Sequence, residues 1–275
     1  MEVGAITEHI DVAQVALYLF WLFFAGLIFY LQREARREGY PLVSERSGGY
    51  VQEIDGIFMP APKTYNTLDG RTVLAPDPAR ADSRPLAARQ LAGGAGSPYV
   101  PTGDPLADCI GPSSYAERPD IPDITFEKKP RIVPMRIASD FTIAERDPDP
   151  RGMTVIGSDG ATAGTVVEVW VDRSEFIARY LEVELATAGA ATAQSEGAEG
   201  SATASARRVL LPVPFADFDK ANRRVLVHAL LGSQFAGVPI LRSPDQITLL
   251  EEEKVAAYYG GGLLYATPDR QEPLV

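Results

Sequence analysis

The chain has 275 residues, enough for one large domain or two small ones, and its 45% hydrophobic content permits a sizeable core. A formal net charge of −11 excludes nucleic acid as a partner, because phosphate binding needs a basic surface. The one cysteine, Cys109, excludes an internal disulfide, and without a nucleophile constellation, metal-ligand cluster or phosphate loop neither an enzyme nor a metal site is expected.

Residues 1–11 form an acidic tail (Glu2, Glu8, Asp11) ahead of "VAQVALYLFWLFFAGLIFYL", Val12 to Leu31. That run holds one strongly polar side chain, Gln14, and no charge. A helix of this length spans roughly 30 Å, the thickness of a hydrocarbon core. A cleaved signal peptide would have a basic start, a shorter apolar region and small residues at its end, and "LIFYL" is none of these. The segment is therefore read as a single-pass anchor over residues 12–31. Arg33, Arg36 and Arg37 follow it, while residues 1–11 carry no Lys or Arg, which puts the C-terminal part on the cytoplasmic side. Tyr18 and Tyr30 suit the two interfaces, and Trp21 suits either an interface or helix packing. Ala25-Gly26 offers a small face to another helix or a lipid chain.

Residues 32–134 are rich in Pro and Gly, and "PYVPTGDPLADCIGP" reads as extended segments and turns. Apolar residues at intervals (Ile57, Phe58, Val73, Leu74, Ile110) favour an ordered wrap fixed by other subunits over disorder. From residue 135 to 250 the pattern changes to short strands. "TVIGSDGATAGTVVEVWVD" offers two strands around Asp159-Gly160, a hairpin signal. Val167, Val169 and Val171 alternate with Glu168, Trp170 and Asp172, and Leu181, Val183 and Leu185 alternate with Tyr180, Glu182 and Glu184. "RRVLLPV" and "RRVLVHALL" add two more strands, which suggests a small antiparallel barrel or sandwich. Between them, residues 186–206 are almost all Ala, Gly, Ser and Thr and read as a flexible insertion. An Ala-rich helix is the alternative, weakened by three glycines. Residues 251–275 hold a C-terminal helix and tail, with Thr248 and Glu251 as a capping box and glycines 260 to 262 as the expected stop.

Val166 to Leu185 carries five carboxylates: Glu168, Asp172, Glu175, Glu182 and Glu184. Glu168, Glu182 and Glu184 fall on the polar phase of half-buried strands and are expected on the solvated surface. Asp172 could be a turn residue, Glu175 a surface charge and Arg179 its ion-pair partner.

The motifs "FWLFFAGLIFYLQREARREGYPL", "PTGDPLAD", "GPSSYAER", "VPMRIASDF", "GTVVEVWVDRSE", "RYLEVEL" and "LLEEEKVAAYYGGGLLYATP", in this order along nearly the whole chain, strongly resemble the H subunit of the purple-bacterial photosynthetic reaction centre. The resemblance implies a PRC-type β-barrel and a non-catalytic subunit without pigments of its own. It would cap the cytoplasmic face of the two pigment-binding subunits, over their quinones and non-haem iron, with bacteriochlorophyll and bacteriopheophytin also on those partners. It places the chain in the bacterial inner (intracytoplasmic) membrane, N-terminus periplasmic, with the core antenna ring and anionic lipid as further neighbours. It also marks Asp172, Glu175 and Arg179 as proton-path and interface residues: Glu175 as relay carboxylate, Asp172 setting its potential, Arg179 holding the interface. Tyr30, Arg33, Arg36, Arg37 and Tyr40 fall at the lipid and subunit boundary. Some family members carry a carboxylate and a histidine pair, a transition-metal site, where this sequence has Thr125, Glu127 and Lys129; its own histidines are His9 and His228. Proton entry is therefore expected through Glu127 or Asp123. A membrane-tethered adaptor binding an unrelated soluble protein is the competing reading, since barrels of this type occur in other settings.

Overall fold

The computed structural model describes residues 5–7, 10–37, 59–68, 70–77, 79, 84–92, 97–186 and 207–271; His9, Tyr40 and residues 187–206 of the insertion lie outside them. The chain forms two compact units, Met1–Arg84 with Leu91–Pro98, and Pro85–Gln90 with Tyr99–Val275.

In the first unit, β1 (Ala5–Thr7) pairs antiparallel with β2 (Ile10–Asp11), which runs directly into helix α1 (Val12–Glu34). Asp11 caps α1, its carboxylate accepting the Gln14 N–H at 2.7 Å and so satisfying a donor that the helix itself leaves open. None of the 23 residues of α1 is buried. A helix that is apolar all round and uncovered by protein belongs in lipid, and the chain is membrane-anchored by it. Gln14 meets its need within the helix by donating to the Tyr18 hydroxyl at 2.9 Å, one turn on. The helix continues three residues past Leu31, where Arg33 in the last turn complements the negative end of the dipole. Further along, β3 (Lys63–Asn66) and β4 (Thr72–Ala75) form an antiparallel hairpin.

In the second unit, β5 (Ala88–Gln90) pairs with β6 (Tyr99–Pro101). Among the described residues the main sheet has seven strands: β7 (Ile132–Pro134), β8 (Thr154–Gly157), β9 (Thr162–Asp172), β10 (Ile177–Leu185), β11 (Arg208–Pro212), β12 (Asp217–Asp219) and β13 (Arg224–Val227). Their order is β11-β10-β9-β8-β13-β12, antiparallel throughout except for the parallel pair β13 and β8. One edge of β9 pairs with β10 along its length; the other is shared, β8 taking its first half and β7 its second. Strand β7 therefore lies opposite the end of β9, Ile132 facing Asp172.

The expected alternation in β9 breaks at a bulge. Glu182 faces Glu168 but Val183 faces Val166, leaving Val167 as the extra residue. Val166 is thus buried and Val167 only half-buried, and from Glu168 to Asp172 both faces of the strand are covered. The core comprises Trp170, Leu181, Leu210, Leu211, Leu230 and Met153, with Phe215 and Phe235 against Tyr259 of α2 (Leu249–Tyr265).

Helix α2 starts as the sequence indicates: the Thr248 hydroxyl accepts the Glu251 N–H at 3.1 Å, and the Glu251 carboxylate accepts the Thr248 N–H at 2.9 Å. It does not stop at the glycines, but runs through Gly260–Gly262 to Tyr265. Here glycine serves close approach, because a Cβ on Gly261 would collide with the Ser113 hydroxyl, and one on Gly262 with the Ala229 carbonyl and the Leu230 side chain. Packing outweighs the low helix propensity. Gly262→Ala is expected to destabilise the chain by about 1–3 kcal/mol through overpacking, read as a lower midpoint in thermal unfolding.

Candidate functional site: an ionic cluster at the end of the β9–β10 hairpin

The turn between β9 and β10 is built by Asp172. Its side-chain Oδ1 accepts the N–H groups of Ser174 (2.8 Å) and Glu175 (3.0 Å), and its carbonyl accepts that of Phe176 (2.9 Å). Such local bonds make aspartate a turn former. This arrangement lifts Glu175 out of the sheet with a side chain half exposed at 50%, while Asp172 is fully buried.

A second loop meets it. Residues 123–131 double back: the Arg131 N–H donates to the Asp123 carbonyl, the Thr125 N–H to the Lys129 carbonyl, and Lys128 takes a positive φ of 61°. Because Ile132 pairs with Asp172, the preceding Arg131 is delivered to the Asp172 carboxylate. Its Nε donates to Oδ1 at 3.1 Å and Oδ2 at 2.9 Å. The same guanidinium reaches Asp123 at 3.1 Å through Nη1 and Glu175 at 2.5 Å through Nη2. Glu175 in turn faces Arg179 at 3.8 Å. One arginine thus holds three carboxylates, in the forked geometry that suits guanidinium.

A fourth acid completes the group. Glu252, in the first turn of α2, accepts the hydroxyl of buried Tyr180 at 3.1 Å. Burial pushes the Glu252 carboxyl up, outweighing the Tyr180 hydrogen bond and the Arg179 charge. At Asp172 burial also pushes up, but Arg131 and the Glu175 and Ser174 N–H groups outweigh it, and the net direction is down. The cluster therefore pairs a firmly ionised acid with one biased toward its neutral form. Glu252 escaped the sequence reading because "LLEEEK" looks like ordinary N-terminal dipole complementarity. Arg131 escaped it because its partners lie 8, 41 and 44 residues away. An acid whose folded pKa is raised costs stability once pH climbs past its unfolded value, so Glu252→Gln is expected to be more stable than the parent near pH 7 and equal to it below about pH 4, in thermal unfolding.

Of the two expected entry residues, Asp123 belongs to the cluster. Glu127 sits on the exposed tip of its loop, its carboxyl held low by its own backbone N–H, the Thr125 hydroxyl and the Lys129 charge. The surface reading of two strand acids is overturned. Glu168 and Glu182 are buried at 9% and 6%, facing one another across the β9–β10 pair. Glu182 accepts the Trp170 indole N–H at 3.0 Å and binds Arg136 (3.5 Å) and Arg208 (3.3 Å), while Glu168 accepts the Arg136 N–H at 3.3 Å. Paired arginines compensate their burial. Glu184, half-buried, faces Arg208 at 3.2 Å.

In the membrane-anchored unit, Tyr30 is exposed near the end of α1, and Arg33 and Arg36 are half-buried. Arg37 is tied down: it holds Glu34 through two bonds of 2.8 Å and donates to the carbonyls of Ala61 (2.7 Å), just before β3, and Ala75 (2.9 Å), the last residue of β4.

Comparison with known families divides the chain in two. Residues 4–137 match the family described as photosynthetic reaction centre, H-chain N-terminal region, and residues 143–234 match the PRC-barrel domain.

Proposed function

The chain belongs to the photosynthetic reaction-centre H-chain family, a membrane-anchored subunit that associates with other reaction-centre subunits, and on that premise we propose that its ionic cluster conducts protons to a quinone held by those partners. The observation that carries this reading is the single Arg131 guanidinium shared by Asp123, Asp172 and Glu175 beside a Glu252 carboxyl pushed up by burial. A quinone reduced twice takes up two protons, and beneath a protein cap these need a path of side chains and water. Carboxylates gathered around one cation offer closely spaced acceptor sites along which a proton can be passed.

Each residue then has a task. Asp123, partly exposed, takes protons in from solvent, with Glu127 at the loop tip as a further collector. Asp172 stays ionised, fixes the turn and sets the local potential. Glu175, half exposed and flanked by Arg131 and Arg179, hands the proton on, and Arg179 faces the partner subunit. Glu252, its carboxyl pushed up by burial, is the acid of the group most disposed to carry the proton. The chain performs no chemistry of its own: the pigments, quinones and iron reside on the partners, and the cap stabilises the quinone sites. The basic flank of α1 supports an orientation with the C-terminal unit on the cytoplasmic side and residues 1–11 in the periplasm. Arg33, Arg36 and Arg37, with Tyr30 near the helix end and Tyr40 further along the chain, form the basic and aromatic boundary that meets anionic lipid headgroups and the neighbouring subunits.

The test is depletion and add-back. Complexes stripped of this chain should keep light-driven charge separation, lose fast proton-coupled reduction of the second quinone, and regain it when the chain returns. Unchanged quinone reduction in the stripped complex would reject the proposal.

A further inference from the structure

Phe176, the last residue of the β9–β10 turn, adopts φ +58°, a left-handed conformation in which an L side chain crowds its own carbonyl and glycine is the usual occupant. A bulky aromatic there is an outlier. Burial within this chain does not compensate for it, because the residue is 75% exposed there. What the ring does instead is stack on Phe141, with centroids 5.6 Å apart and planes inclined by 16°. Phe141 packs against the hydrophobic core and its N–H donates to the Ala138 carbonyl at 2.9 Å, so it is a fixed support. Together the two rings line an apolar groove of about 410 Å³ with Ile177, Leu181 and Phe218.

Glu175 precedes Phe176 directly. Its carboxylate is half exposed, yet it sits 2.5 Å from Arg131 and 3.8 Å from Arg179. A long, half-exposed side chain loses that geometry to water unless its backbone is held, because rotamer entropy favours the free state. Asp172 accepts the N–H groups of Glu175 and Phe176 on the near side of the turn, and the stack anchors its far side, fixing the direction in which residue 175 leaves the turn. We infer that Phe176, through its stack on Phe141, is a positioning residue that keeps Glu175 between Arg131 and Arg179. The inference rests on the relay role of Glu175, and strain at a left-handed phenylalanine fits a site where geometry is maintained for function.

Five assembled complexes test it, carrying the parent chain, Phe176→Gly, Phe176→Tyr, Glu175→Gln and the Phe176→Gly/Glu175→Gln double variant, with flash-induced second-electron transfer as the readout. Glycine keeps the left-handed backbone without strain and removes only the ring, so the fold is retained. Phe176→Gly is expected to slow the proton-coupled step about fivefold or more, as misplacing a transfer group does. The double variant is expected to be no slower than Glu175→Gln alone, since a residue acting only through another adds nothing once that one is gone. Phe176→Tyr, which keeps the stack, should restore the parent rate. If Glu175→Gln is slow and Phe176→Gly is not, or if the two effects multiply, the positioning role is overturned and the relay stands. If Glu175→Gln has no effect, the relay falls and this inference with it.

Discussion

Replacing Glu175 by Gln is expected to slow proton-coupled electron transfer to the secondary quinone by on the order of 10²-fold, the lower range of what a positioned acid–base group contributes. Primary charge separation should be untouched, because it moves no proton. The substitution keeps size and hydrogen-bonding shape and removes only the titrating oxygen. Since Glu175 is half exposed and the turn is built by Asp172, the variant should fold and assemble. Arg131 keeps Asp123 and Asp172 as partners, so no buried charge is left alone. Flash kinetics on the assembled complex separate the two steps.

Asp172→Ala should act on stability. The carboxylate is fully buried, binds Arg131 and closes the turn through two N–H groups. Removing it strips the turn of its acceptor and leaves part of a half-buried guanidinium unpaired, a loss of about 3 kcal/mol at neutral pH. For a chain of this size that lowers the thermal midpoint by roughly 10 °C. The pH dependence follows from the direction of the shift. The folded pKa of Asp172 lies below its ordinary value, so its contribution is complete above about pH 4 and disappears as pH falls through the folded value. The gap between parent and variant should therefore be wide at pH 7 and close in acid. A gap independent of pH would mean that the aspartate acts by packing alone.

Much of the fold is legible along the chain because its signals are local. The apolar run, the Asp159-Gly160 hairpin and the Thr248–Glu251 box each depend on neighbours a few residues apart. What escapes is long-range. The bulge at Val167 reverses which valine enters the core, and periodicity cannot register an inserted residue. Glu168 and Glu182 look like surface charge until Arg136 and Arg208 arrive from other strands and loops. Gly261 and Gly262 look like a helix stop until the Ser113 and Ala229 segments are packed against them. The ionic cluster divides in the same way. Asp172, Glu175 and Arg179 lie within one hairpin and could be singled out by resemblance, whereas Arg131 and Glu252 join them only through strand pairing and helix docking.

The most direct measurement of the central proposition, that these acids deliver protons to a redox partner, is chemical rescue of the Glu175→Gln complex. A small permeant weak acid, added at rising concentration, can carry protons past a broken relay without repairing any other defect. Second-electron transfer is expected to recover toward the parent rate as the acid is added, with primary charge separation constant throughout. A Glu175→Gln complex that runs at the parent rate without added acid, or a slowed one that no concentration of acid restores, would contradict it.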